Sequence, residues 1–190
     1  MKKYSQLLLG FAVILVGLLG ISSQAHAVTH YVQSSTPTIF VHGWGSSSHA
    51  EEKMANAARD AGVTKTIVRA NVDRKGKVTF NHQIPANAVN PIVEVNLEDN
   101  KLSAYQDDYT QGYHHGGGYV KNVVLALEKQ HHYKQINLVG HSMGNLEIIN
   151  YINDNVNDKS LPQVAYLVAI AGHYNGLVGQ SNCSRCEGKF

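Results

Sequence analysis

The sequence predicts an α/β fold, a mainly parallel sheet flanked by helices, and three observations carry that prediction. Strand-like and helix-like segments alternate from Val28 onward. Two continuous apolar runs, Thr38 to Val41 and Ile136 to Val139, each end in a glycine-rich turn that leads into a helical pattern. A further, almost wholly apolar run, Val164 to Ala171, follows the second of these helices. Apolar runs without alternation are what strands look like when both faces of a parallel sheet are covered.

The elements follow in order. Pro37 precedes the first strand, and His42-Gly43-Trp44-Gly45 ends it. Ser48 and Glu51 stand at capping-box spacing ahead of a helix from Glu51 to Ala61, closed by Gly62, with Met54, Ala57, Ala58 and Ala61 as its apolar face. Lys65 to Val72 reads as the next strand, and an Arg74-Lys75-Gly76 turn leads into a short hairpin partner, Lys77 to Phe80. Asn81 to Asn90 reads as loop and Pro91 to Leu97 as another strand. A helix is expected from about Gly118 to His131, where Val120, Val123, Val124 and Leu127 share one face, with Gly116-Gly117-Gly118 as its mobile entrance. After the Ile136 strand comes Gly140-His141-Ser142-Met143-Gly144, then a helix from Met143 to about Asn155 carrying Leu146, Ile149 and Ile152.

Composition bounds the rest. A length of 190 residues, 43% of them hydrophobic, fits one domain plus a short targeting segment. Net charge is +2 and no run of five like charges occurs, so nothing in the balance points to nucleic acid. Lys2 and Lys3, the apolar stretch Leu7 to Ile21, and Ala25-His26-Ala27 form the charged, apolar and small-x-small regions of a signal peptide spanning residues 1–27. An uncleaved anchor is the alternative, although the apolar stretch is shorter than the ~20 residues of a spanning helix. Both readings place the domain outside the cytoplasm, secreted or at the cell surface, with any membrane contact made through that segment alone. The domain itself is expected over residues 28–179, followed by an irregular tail, 180–190, that holds both cysteines, Cys183 and Cys186. No disulfide framework staples the body of the domain.

Gly140-x-Ser142-x-Gly144 matches the turn in which a serine nucleophile sits on a strained strand-to-helix bend, its hydroxyl raised above the sheet. The pentapeptide alone is a common pattern; the apolar strand before it and the amphipathic helix after it give it meaning. The loop His42-Gly43-Trp44-Gly45 lies where this arrangement takes one oxyanion N–H, the residue after the nucleophile giving the other. By position those donors are Trp44 and Met143. His42, Gly43, Gly140, His141 and Gly144 then support the loop and the bend. A purely structural pair of tight turns is the competing reading.

Phe40-Val41-His42-Gly43-Trp44-Gly45, Asn137 through Gly144, Asn90-Pro91-Ile92 and Ala169 through Gly176 together resemble the lipase-like α/β hydrolases. Within that group they are most similar to exported or cell-surface members of unknown substrate from Gram-positive bacteria. The resemblance spans roughly Thr36 to Gly176. It implies the α/β-hydrolase fold, Ser142 as nucleophile, and a serine esterase chemistry that needs no cofactor or metal.

The chain departs from that pattern after Ser142. The triad acid and histidine of this fold follow the nucleophile in sequence, on later strands. The segment after Ser142 holds one histidine, His173, and the carboxylates Glu147, Asp154, Asp158 and Glu187. The expectation is therefore a hydrolase domain missing its last strands and helices, cut short near a tail whose C-x-x-C spacing lacks the context of a redox motif. His173 is the candidate base, with a loop or pocket-wall role as its alternative. His114-His115 and His131-His132 lack the cysteine or carboxylate spacing of a zinc site and read as loop or helix-end surface residues. The expected activity is hydrolysis of a small-molecule ester or lipid-like substrate through a serine acyl-enzyme. The rival is an inactive remnant or surface-binding module. The sequence leaves the oligomeric state open.

Overall fold

The computed structural model describes residues 31–174; the expected signal peptide, 1–27, and the expected tail with Cys183 and Cys186 lie outside the described residues. Six strands form one sheet: β1 (Thr38–Val41), β2 (Ile67–Val72), β3 (Val78–Phe80), β4 (Ile92–Leu97), β5 (Gln135–His141) and β6 (Gln163–Ile170). Their order is β3-β2-β4-β1-β5-β6. Every pairing is parallel except the β2–β3 hairpin, whose register sets Val72 opposite Val78. Among the described residues three α-helices accompany them: α1 (His49–Asp60), α2 (Tyr109–Glu128) and α3 (Met143–Asp154).

The apolar runs are explained by two-sided covering. Ile39 and Val41 of β1 join Val68, Val93, Val95, Leu97, Ile136 and Leu138 in a large core that takes in Val120, Val123 and Val124 of α2 and Leu146 and Ile148 of α3. Phe40, one residue out of step, turns to the opposite face, where Ile92, Val139 and Ala55 of α1 form a smaller cluster. Alternation of side chains along a strand is preserved, and both faces are apolar because both meet helices.

The helices depart from expectation in three ways. Helix α1 begins at His49 with Ser48 in a helical conformation and no side-chain cap, so the capping box does not form. Its inward residues are Glu51, Ala55 and Ala58, whereas Met54 is exposed: the buried face is rotated from the predicted one. Helix α2 starts at Tyr109, nine residues before the predicted Gly118, behind an Asp108 cap that accepts from the Gln111 N–H at 3.1 Å. Gly116 and Gly117 thus sit within a helix and serve close packing, not mobility. A Cβ at 117 would come 2.8 Å from the Tyr151 amide nitrogen of α3, and one at 116 would meet Glu147 Cγ at 2.7 Å. His114 and His115 fall on this helix as well, against a predicted loop or helix end. His114 pairs with Asp154 at 2.8 Å, and His115 shares a 2.9 Å hydrogen bond with the Tyr119 hydroxyl.

Strand β6 matches its predicted span to within a residue but is not buried. It lies at the margin of the sheet, and Tyr166 and Val168 are 73% and 51% exposed.

Candidate active site

The carboxyl end of β5 and the first turn of α3 meet at Ser142, whose φ of 51° and ψ of −120° fall outside the regions a non-glycine residue ordinarily occupies. Such a conformation costs of order 1–3 kcal/mol and persists only where the surroundings over-determine it. Here they do. The Ser142 N–H donates to the Ile170 carbonyl at the end of β6 (3.0 Å). Asn145, fully buried one turn into α3, donates its backbone N–H and its side-chain Nδ2 to the Ser142 carbonyl, both at 3.1 Å, and Nδ2 also reaches the Ile170 carbonyl at 3.0 Å. The bend is thereby tied to the neighbouring strand through one amide side chain. In the sequence Asn145 shows only as a polar residue three positions after the serine on an inward helical face.

The two glycines of the pentapeptide are places of close approach. A Cβ on Gly144 would run into the Val41 carbonyl oxygen and stand 2.8 Å from that of His42, so α3 could not settle on the end of β1. A Cβ on Gly140 would stand 2.9 Å from Asn145 Cγ. Both are below any ordinary van der Waals distance.

The loop after β1 closes the other side. Gly43 packs on the serine itself, since a Cβ there would be 2.9 Å from Ser142 Cβ and 3.5 Å from His141 Nδ1. His42 is fully buried and fixes this loop from below. The Leu97 N–H donates to its Nε2 at 3.1 Å, which places the ring proton on Nδ1, 3.0 Å from the Gly43 carbonyl. Burial holds the His42 pKa below its ordinary value, with a smaller lowering from His141 opposed by the Gly43 contact, so the ring is neutral as this bonding requires. The Gly43 carbonyl also accepts from Ser46 (3.2 Å), and the Gly45 N–H, in a left-handed turn at φ 63°, donates to the Asn100 carbonyl (2.8 Å). Among the described residues no backbone hydrogen bond uses the Trp44 N–H. Met143, as the first residue of α3, has its N–H among those a helix leaves without an internal partner.

Behind the bend, His141 Nδ1 lies 4.0 Å from Glu51 Oε1, and Glu51 is buried under α1. Burial, with a contribution from neighbouring Glu94, pushes the Glu51 carboxyl up to about 7. On the far side of α3, Glu147 is fully buried with neither carboxylate oxygen hydrogen-bonded among the described residues. Burial and then the charge of Asp99 push it up to about 8, so at neutral pH it carries its proton. His173 is half-buried three residues beyond β6 and makes no hydrogen bond or ion pair among the described residues. The structure thus brings together Ser142, Met143, Gly140, Gly144, His141, His42, Gly43 and Trp44, and leaves His173 unlinked to them.

Comparison with known proteins agrees with the fold. No curated protein matches. Among solved structures, the product of gene lin2722 from Listeria innocua is 28% identical with a TM-score of 0.65, over 76% of this chain and 54% of that one. A protein of Lactobacillus plantarum WCFS1, provisionally assigned as a cell surface hydrolase, is 17% identical with a TM-score of 0.65, over 80% of this chain and 60% of that one, a likeness of fold alone. The chain therefore spans less than two thirds of the length of either structure. A family model described as "Alpha/beta hydrolase of unknown function (DUF915)" matches residues 25–186, and the chain belongs to that family.

Proposed function

We propose that the chain is an exported serine hydrolase acting on carboxylic esters, with Ser142 as nucleophile and the N–H groups of Trp44 and Met143 as the oxyanion hole. The observation that carries this reading is the backbone of Ser142, held at positive φ by Asn145 and Ile170 beside a loop with an unused N–H. Attack of Ser142 Oγ on the ester carbonyl forms a C–O bond and moves an electron pair onto the carbonyl oxygen. Collapse expels the alcohol, and water repeats the sequence on the acyl-enzyme. Each oxyanion donor is worth about 2.7 to 4 kcal/mol of barrier. The candidate base is His173, which follows the same strand end that accepts the Ser142 N–H; it would take the Ser142 proton on attack and return it to the departing alkoxide, and a loop or pocket-wall role is its alternative.

A non-catalytic module retaining the fold is the second reading, favoured by the absence of a His173–Ser142 hydrogen bond among the described residues. Hydrolysis of p-nitrophenyl esters separates the two. The hydrolase reading expects turnover that falls about a thousandfold in Ser142→Ala. Equal rates in the two proteins, or none from folded wild type, favour the module.

A further inference from the structure

Trp44 is the one tryptophan in the sequence, and it occupies an unusual combination of places. Its backbone belongs to the loop that packs on Ser142, while its indole is 39% exposed. The ring is nonetheless not loose. It meets Tyr109 in a tilted contact with centroids 5.6 Å apart at 56°, and Tyr109 meets Tyr113 in another at 6.1 Å and 30°. Tyr113 is buried in the main core, and Tyr109 packs against that core at the first turn of α2. An aromatic face is therefore held toward solvent by a ladder anchored in the protein interior.

We propose that Trp44 and Tyr109 form the acyl platform of the site, so that the chain prefers esters carrying an apolar acyl chain of several carbons over acetyl esters. This rests on the ester-hydrolase reading and follows from connectivity. If the Trp44 N–H holds the carbonyl oxygen, the substituent on that carbonyl carbon begins within one side-chain length of the Trp44 ring. An acyl chain laid along the two rings removes apolar surface from water on both partners, and pre-ordered rings lose little entropy in receiving it. A methylene held in a closed pocket is worth tenfold or more, so four additional methylenes on an open platform give roughly a tenfold preference.

The test uses Trp44 fluorescence in Ser142→Ala, the reporter being unique. Methyl hexanoate is expected to change the emission saturably, with half-saturation about tenfold below that of methyl acetate. Tyr109→Ala should erase that difference and Tyr109→Phe should keep it, with circular dichroism confirming that each variant is folded. Equal responses to the two esters, or a silent Trp44, overturn the platform. The hydrolase reading is judged separately by turnover in wild type. Hexanoate preference without turnover fails that reading and leaves the platform standing as a binding site. Turnover with a silent Trp44 fails the platform alone.

Discussion

The two ends of the sheet's active edge are built to different standards. At the β1–β5 junction Asn145, His42 and the strand ends tie down the backbone around Ser142, and it approaches closely enough that added methyl groups have no room. One strand further across the sheet, β6 is apolar and exposed, with no charged residue anywhere in Gln163–Ile170. Natural edge strands usually carry charge, proline or a bulge at such places, and of these β6 has only a register shift against β5 between Ile136 and Asn137. Of the hydrogen bonds that hold the Ser142 backbone, those from β6 come through the Ile170 carbonyl alone, so the bend is fixed from the crowded side of the sheet.

The largest effect is expected at the crowded end. Gly144→Ala pushes a methyl group into two backbone carbonyls that cannot swing aside, and should cost about 3 kcal/mol in urea unfolding. A cost below about 1 kcal/mol would mean that the junction is looser than described.

A second test concerns the helix pair behind the junction. Glu147 holds its proton up to about 8 when folded but loses it near 4.5 when unfolded. Its contribution to stability is therefore complete below the unfolded pKa and is lost as pH rises toward 8. Glu147→Gln cannot ionise, so the stability difference between wild type and variant should shift by about 1.4 kcal/mol per pH unit across that window. Glu51 acts in the same direction and His42 in the opposite one, but both are common to the two proteins. Parallel urea midpoints from pH 5 to 8 would show that Glu147 is ionised in the folded chain.

The smallest effect belongs to β6. Val168→Lys places a charge on an exposed edge and should change stability by no more than about 0.5 kcal/mol, while reducing self-association in sedimentation runs. A loss of about 2 kcal/mol or more would show that this strand is packed.

The sequence showed the sheet and the bend well because their signals are local. A run such as Ile136 to Val139 is buried on both faces, and Gly140 and Gly144 are required by contacts within a few residues or on the adjoining strand. The errors arise where a residue's meaning depends on a distant partner. Gly116 and Gly117 look like helix breakers until α3 lies against them, and this hides the first turns of α2. Glu51 looked like half of a capping box, yet it is turned inward toward His141, a residue ninety positions away. Asn145 could not be told from a surface polar residue, because its acceptors are the bend itself and the end of a later strand. Exposure of β6 was equally hidden, since an apolar strand reads the same whether or not it is covered.

The central claim is that Ser142 is an activated nucleophile, and reaction of the folded chain with a fluorophosphonate probe tests it without knowledge of the substrate. The account predicts stoichiometric labelling of wild type, located to Ser142 by mass spectrometry and abolished in Ser142→Ala. Folded protein that stays unlabelled, or labelling that survives the substitution, would contradict it.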